Sequence, residues 1–505
     1  MGNPSWDTDV LAPLVKTTFT INNIIPDSLL HKNPDNSLNI VYNTNLYSFS
    51  TLTVPDTTID TVYFYPFQLI VDSCDLIIPL LTNEDHFNVR TVQLTTVTIH
   101  SGKMQLAVEN KTRKILDIHY RIPSATLSGN PFDVIVSVPA KTGNNSGVLS
   151  TTFDLSGYRF DLTGKNGTKV NTLVTSISAK VNCSDFSKDT VFPFADNIKV
   201  SNSFIDMVPQ YAKGYFGNTI TNITDSTDFS LFRHIIGGTI NLEDVNIGLN
   251  IENTIGADAR MTIDDLSSVN SRTGSKVSLL NSVIGSPINI TRSVDNNGIV
   301  SPSSYNVSLA PLNSNIKQFI ENFPDKLSYK LQYEFNPLGN VSGNNDFIYY
   351  DKLLKTSLNM TIPLSLVANN LVMADTVGFT MNANTTNVNS GNLYLYFENG
   401  FPFNAQAQLY LMNSNSTIID SLVSVPNTIS ASSLDINYVC IGKKETKLTI
   451  WVDENMLNKL RSAKKMYIKI KFNTANQPNY LKIYSFYEMK VKVVGDFNYS
   501  VRKNN

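Results

Sequence analysis

Met104-Gln-Leu-Ala-Val-Glu-Asn110 recurs as Ile247-Gly-Leu-Asn-Ile-Glu-Asn253 and again as Leu393-Tyr-Leu-Tyr-Phe-Glu-Asn399. The shared pattern is apolar-x-Leu-x-apolar-Glu-Asn, at intervals of about 145 residues, and self-similarity at a steady interval marks tandem modules. Side chains alternate along a strand with period two, so Met104, Leu106 and Val108 share one face, as do their counterparts in the other copies. Leu106, Leu249 and Leu395 are therefore expected in the core. The Glu-Asn pair ends each strand, because Asn tolerates left-handed backbone and bonds its own turn. Glu109, Glu252 and Glu398 read as strand-end carboxylates held by that turn; one such Glu per module would not converge on a single site.

Other matches keep the phase. Val136-Ser-Val-Pro139, Val277-Ser-Leu279 and Val423-Ser-Val-Pro426 follow the three Asn residues at similar distances. Ile177–Asn182, Leu331–Asn336 and Ile468–Asn473 close the copies as late strands. Asn315 to Asn322 and the stretch after Asp453, with Met456, Leu457 and Leu460, have helical spacing and a helix-starting Asp. In the first copy the turn-rich Leu162–Thr168 takes that place. Val10 to Thr18 is expected to form a helical turn or two, and Thr361 to Val367 and Tyr480 to Tyr499 to be strands. The resulting fold class is all-β with minor helices: tandem β-sandwich-like modules in an elongated row, helices plugging sandwich ends. The division is 1–200 for an N-terminal segment and first module, 201–345 for the second and 346–505 for the third.

The 505 residues are 42% hydrophobic, enough for sizeable cores, but only 16% charged, with a net charge of -2. That balance excludes a bulk electrostatic nucleic-acid binder and a disordered polyampholyte. Asn, Ser and Thr take the place of charge, as suits turns and exposed strand faces. Sequons such as Asn110-Lys-Thr and Asn359-Met-Thr arise by chance in such a composition. No apolar run reaches the length of a membrane-spanning helix. Met1-Gly2-Asn3-Pro4 reads as a start placed on a mature chain, so a removed leader, one that could end in a lipid-bearing Cys, is expected.

Reactive residue types are scarce, with five His and three Cys. Cys74, Cys183 and Cys440 form no CxxC pair and read as three buried thiols, with one long-range disulfide as the alternative. HExxH, Gly-x-Ser-x-Gly and GxxxxGK[ST] are absent. Glu84-Asp-His86 reads as a polar turn. His100 and His119 could face each other across a hairpin but have no third zinc ligand. Asp295-Asn-Asn-Gly298 lacks the acidic ligands that would make it a calcium loop and reads as a plain turn. No catalytic residue, metal or cofactor is assigned.

Two surfaces stand out as contact candidates. Val208–Gly217 reads as an exposed loop carrying Tyr211, Tyr215 and Phe216, and aromatic loops on a β scaffold suit binding. Lys469 and Lys471 alternate on one strand and Lys490 and Lys492 on another; such rows serve either as edge-strand protection or as a docking face for an acidic partner or anionic head groups.

Pro4-Ser-Trp-Asp-Thr-Asp-Val-Leu-Ala-Pro-Leu14 and Thr20-Ile-Asn-Asn-Ile-Ile25 resemble the mature start of exported Bacteroidota β-proteins. Within that group, size and β-content are similar to the periplasmic plug subunit of the type 9 secretion translocon. The module also loosely resembles small β-sandwiches of the water-stress type. The plug resemblance implies a non-catalytic protein of the periplasm or cell surface, associated with the outer membrane. Its partner would be an outer-membrane β-barrel translocon, and a removed lipid anchor would give peripheral membrane association. The competing reading is a lipid- or glycan-binding lipoprotein; a row of exposed Trp or Tyr would favour glycan.

Overall fold

The computed structural model describes residues 5–49, 56–64, 69–71, 74, 76–185, 190–192, 196–229, 231–232, 234–381, 388–422, 427–475 and 479–502. The side chains of Trp6 and Tyr499, and all of Met1–Pro4 and Val423–Pro426, lie outside the described side chains and residues. The chain is mostly β, built from multiple antiparallel sheets, with two α-helices among the described residues.

Each repeated heptapeptide forms the last residues of a strand, which we call the anchor strand: Gln93–Asn110, Asn246–Asn253 and Val388–Asn399. Leu106, Leu249 and Leu395 are fully buried, as the alternation requires. Every anchor strand lies between two partners. Gln93–Asn110 pairs with Asn197–Tyr215 and Gly147–Asp154. Asn246–Asn253 pairs with Lys355–Pro363 and Ser303–Leu309. Val388–Asn399 pairs with Glu488–Arg502 and Lys444–Val452.

The outer strand of all three sheets comes from the first 64 residues, in reverse order. Thr57–Phe64 pairs with Asn197–Tyr215, Leu38–Ser48 with Lys355–Pro363, and Ser5–Thr20 with Glu488–Arg502. Val10 to Thr18, expected as helical turns, is thus part of a strand. Val15, Thr17 and Phe19 alternate inward while Lys16 and Thr18 face out, and a partner nearly 500 residues away leaves no local signature. The register slips beside Pro13, as expected where a strand lacks an N–H to donate.

A second group of strands packs against each of these; in the first set it is continuous with the anchor strand's sheet, and in the other two it is a separate sheet. Leu76–His86, Thr172–Val181, Leu116–Leu127 and Asn130–Val138 follow one another in the first. Thr219–Asp228, Lys326–Phe335 and Ala259–Asn270 make the second. Leu371–Gly378, Lys465–Thr474 and Phe403–Met412 make the third. Side chains join the sheets of each set. Tyr333 is fully buried and shares a 2.8 Å hydrogen bond with Thr356. Thr17 donates to Asp375 at 2.8 Å, and Phe132 meets Phe153 edge-on at 5.2 Å. In the first set Arg159–Asp161 also pairs with a strand of each sheet.

The helices are α1, Ile316–Glu321, and α2, Glu454–Ser462. Asp453 caps α2 by accepting from the Met456 N–H at 2.8 Å, satisfying a donor that the first turn leaves free. Leu162–Thr168 is turn-rich, as its Gly and Thr content indicates. Thr361 to Val367 is two strands that break at Leu364, after Pro363. Tyr480 to Tyr499 is likewise interrupted, by a turn between Leu481–Lys482 and Glu488–Arg502.

Candidate docking surfaces

The residues that repeat are used inside the fold. Asn110 donates from Nδ2 to the carbonyls of Lys114 and Pro139, both at 2.9 Å, and accepts from the Thr112 N–H at 2.9 Å. Asn253 donates to Ala257 at 3.1 Å and Thr291 at 2.9 Å, and accepts from Ile255 at 3.0 Å. Asn399 donates to Phe403 and Ser430 at 2.9 Å and accepts from Phe401 at 3.0 Å. All three Asn are fully buried. An amide with two donors and a carbonyl acceptor satisfies three backbone groups that would otherwise be left unpaired at high cost.

The preceding Glu also has a regular place. Glu109, Glu252 and Glu398 stand directly opposite Lys199, Lys355 and Lys490 on the neighbouring strand. Lys355 reaches Glu252 at 3.3 Å and Lys490 reaches Glu398 at 3.9 Å. In the first set Lys199 turns to Asp60 at 2.9 Å, and Glu109 accepts instead from Ser146 at 2.6 Å. These Lys partners escaped the sequence reading because they lie about 90–100 residues from their Glu, at offsets that differ between the copies.

Tyr211, Tyr215 and Phe216 are not on an exposed loop. Tyr211 and Tyr215 belong to the strand Asn197–Tyr215, and Phe216 follows it. Pro209 and Gly214, which look like turn signals, sit where the register slips. A Cβ on Gly214 would lie 2.1 Å from the Gln93 carbonyl oxygen, so the strands meet there too closely for any other residue. The segment Asp346–Tyr349 pairs with Tyr211 to Gly214 and covers this edge. Tyr211 and Tyr349 have ring centroids 4.8 Å apart, and all three predicted aromatics are half-buried. Tyr349 donates to Asp295 at 2.8 Å; burial and that carboxylate push the phenol up to about 12. Fully buried Asp346 accepts from the Phe216 N–H at 3.2 Å and from Asn336 at 2.7 Å, with Arg292 at 3.5 Å.

The four lysines fall on two sheets. Lys469 and Lys471 lie on Lys465–Thr474, between Leu371–Gly378 and Phe403–Met412. Lys490 and Lys492 lie on Glu488–Arg502, between Ser5–Thr20 and Val388–Asn399. Both strands are central, so neither row protects an edge. Lys469 and Lys471 make no ion pair among the described residues. Lys490 is drawn to Glu398 and to Glu488, the latter at 3.5 Å. Glu488 also pairs with Lys443, which holds its carboxyl below the usual range.

Around Lys492 the sequence reading missed an aromatic cluster. Lys492 stands opposite Lys16 and Tyr396. Tyr394 and Tyr396 share the outward face with Lys447, whose Nζ lies 3.6 Å from the Tyr394 ring centroid. Trp451, 63% exposed, stands on the adjoining strand opposite Asn392. An ammonium above a ring face is favourable, and here it covers the surface that a sugar would stack upon.

The scattered titratable groups also have local partners. Glu84, Asp85 and His86 end a strand instead of forming a turn. Glu84 is held below its usual range by Lys169 and the Lys165 N–H. His100 stacks on Tyr350 at 4.1 Å and meets Gln210 at 2.8 Å, while His119 meets Asp133 at 2.5 Å, so the two do not face each other. Asp295–Gly298 is a hairpin turn with positive φ at Asn297 and Gly298. Cys183 is exposed, against expectation, because a short 3-10 turn carries it past the strand end; Cys74 and Cys440 are half-buried. The neighbouring Cys74 thiol pushes that of Cys183 up.

No protein-family model matches the chain, and none of the curated proteins does. The crystal structure of a "putative secreted protein" from Parabacteroides distasonis is similar over 58% of this chain and 89% of that chain, at 11% identity and a TM-score of 0.30. A TM-score of that size does not establish a common fold.

Proposed function

We propose that the chain is an exported, non-catalytic scaffold of three related β-sandwich modules that works by docking to a partner at the outer membrane. The single observation that carries this reading is the triple hydrogen-bond set of Asn110, Asn253 and Asn399, with the same offsets to the second and fourth residues beyond each Asn. What recurs is a device for holding strands, and the Glu preceding it is engaged in the same task. Selection for turnover would instead maintain one convergent polar cluster.

In a sandwich, the outer faces of the two sheets point away from each other. The docking face we assign is the outer face around Lys492, Lys16, Lys447, Tyr394, Tyr396 and Trp451, where exposed aromatics adjoin positive charge. Such a face suits an acidic protein surface, since aromatics supply contact area and lysines steer association. The partner implied by the plug resemblance, which rests on size, β-content and the lack of catalytic motifs, is the barrel of the type 9 translocon. The Lys469 and Lys471 face is a second, purely polar candidate. A glycan shelf is disfavoured by the Lys447 ammonium over Tyr394.

The test is capture of outer-membrane proteins by the full chain, comparing wild type with Lys447→Glu/Lys492→Glu and with Lys469→Glu/Lys471→Glu. The reading expects a salt-sensitive complex weakened by the first pair alone, with the fold retained. Equal capture by all three proteins would remove the assigned face. Hydrolysis of a glycan or ester, abolished by one carboxylate substitution, would overturn the non-catalytic reading.

A further inference from the structure

Two of the three cysteines, distant in sequence, are brought to one place by the pairing of the first set of strands. Leu76–His86 pairs with Thr172–Val181, where Lys180 stands opposite Leu76. Farther out along the same two segments, Leu69–Val71 pairs with Thr190–Phe192, and Thr190 stands opposite Val71. Cys74 and Cys183 lie in the gap between these two ladders, one on each segment. Backbone pairing on both sides of the gap holds the two segments side by side at the cysteines.

The backbone at Cys183 is tied down. Cys183 opens the 3-10 turn Cys183–Asp185, and the residue before it is held on three sides. The Asn182 N–H donates to the Ile115 carbonyl at 2.9 Å, its Nδ2 donates to Asp117 at 2.9 Å, and its Oδ1 accepts from the Ser184 N–H at 3.0 Å. Cys183 is exposed and Cys74 half-buried, and their thiols lie within hydrogen-bonding reach of each other. Of the charges nearby, Lys180 favours the Cys183 thiolate and Asp117 opposes it. Cys440 has other neighbours: its N–H donates to Tyr487 at 2.9 Å, and its thiol bonds Tyr487 and Ser432.

We propose that Cys74 and Cys183 are joined by a disulfide in the exported protein, a covalent clamp set between the two ladders, while Cys440 stays a thiol. The oxidation rests on the reading of export, because disulfides form and persist in oxidising compartments. The oxidant is an external disulfide, either of low molecular weight or carried by a thiol oxidoreductase. The exposed Cys183 thiolate attacks one of its sulfurs, forming a mixed disulfide and releasing one thiol. The Cys74 thiolate then attacks the Cys183 sulfur, and the second thiol leaves. Two protons and two electrons thereby pass from the pair to the external disulfide, which becomes two thiols. The new bond closes a loop of roughly 110 residues, a length at which a cross-link strongly restricts the unfolded chain. That loop carries Leu76–His86, the anchor strand Gln93–Asn110 and the strands out to Thr172–Val181.

The test incubates the full chain with oxidised glutathione, blocks the remaining thiols with iodoacetamide under denaturing conditions and maps the digest by mass spectrometry. A peptide pair linked through Cys74 and Cys183 is expected, with Cys440 alkylated. Glutathione retained on Cys74 or Cys183, both of them alkylated, or a link from either to Cys440 would overturn the proposal. Cys74→Ser should trap glutathione on Cys183, where the wild type retains none, because the resolving thiol is gone. The clamp is read by urea unfolding of the oxidised and reduced chain, with a probe in the first set of strands. Oxidation should lower the open population by about thirtyfold or more, and the double variant Cys74→Ala/Cys183→Ala should unfold alike in both conditions. Equal midpoints for the oxidised and reduced wild type would overturn the clamp. Export is tested separately, by quenching native cells in acid before alkylation. Both thiols free there, with closure by glutathione intact, would remove the export reading and leave the pairing. Failure of glutathione to close the pair would remove the proposal whatever the compartment.

Discussion

The strands that end at Asn110 and Asn399, which we propose belong to the first and third modules, share their anchor and differ in what lies at their other end. Asn110 and Asn399 make the same three hydrogen bonds, and Leu106 and Leu395 are equally buried. At the other end of the anchor strand, the third is closed by α2 and the first is left with an apolar cavity. The anchor is thus found both with and without a helix at the far end of its strand. The anchor satisfies backbone groups that have no alternative partner. The helix α2 covers apolar surface with Leu457 and Leu460.

The largest effects should fall where the two regions are alike. Leu106→Ala and Leu395→Ala are each expected to cost about 2–5 kcal/mol, the range for buried leucines that leave a cavity. Chemical denaturation followed by a probe local to each sandwich would measure this. Near-neutral behaviour of either variant would break the likeness.

An unequal effect is expected where they differ. Leu457→Ala should destabilise the third sandwich by about 2–5 kcal/mol, whereas Leu162→Ala, beside space that already exists, should cost under about 2 kcal/mol. Limited proteolysis with and without denaturant would rank the two. Equal losses would mean that the first sandwich is closed as tightly as the third.

The plugs should also respond oppositely to acid. Asp420, which holds α2 through Lys459, lies below its ordinary value of 3.8 because of that hydrogen bond. A depressed carboxylate stabilises the fold above its unfolded pKa, and that help is lost as pH falls through the folded value. Glu321 of α1 is instead pushed above 4.5 by burial, against the pull of the Leu242 N–H and Lys317. Its ionised form costs stability, so the cost disappears as pH falls through its raised folded value. Glu321→Gln should therefore stabilise α1 at neutral pH and lose its advantage in acid, while Asp420→Asn should do the reverse for α2. Amide exchange of each helix, compared with wild type at each pH, would show it.

Much of this comparison was legible in the letters. The heptapeptide identified three strands, their buried Leu and the turn that each Asn bonds; the Asn are fully buried and keep ordinary negative φ, where left-handed backbone was expected. Asp453 with Leu457 and Leu460 placed α2, because capping and helical spacing are local properties. What was hidden was non-local. Ser5–Thr20 pairs with a strand at the far end of the chain, and no neighbouring residue records that. Val208–Gly217 looked like a loop because Pro209 and Gly214 are turn formers, yet here they mark the bulges of a strand. Lysine rows read as edges because alternation shows which way side chains point, not what lies beside the strand. The cavity was hidden for the same reason: a missing helix is visible, but the space it leaves needs coordinates.

The most direct test of the threefold scaffold is amide exchange at Thr112, Ile255 and Phe401, whose N–H groups donate to Asn110, Asn253 and Asn399. In Asn110→Ala, Asn253→Ala and Asn399→Ala, each variant should speed exchange in its own turn, by about tenfold or more, and by similar factors across the three. If one turn exchanges as in wild type, or one variant disturbs all three turns alike, the anchors are not equivalent and the account fails.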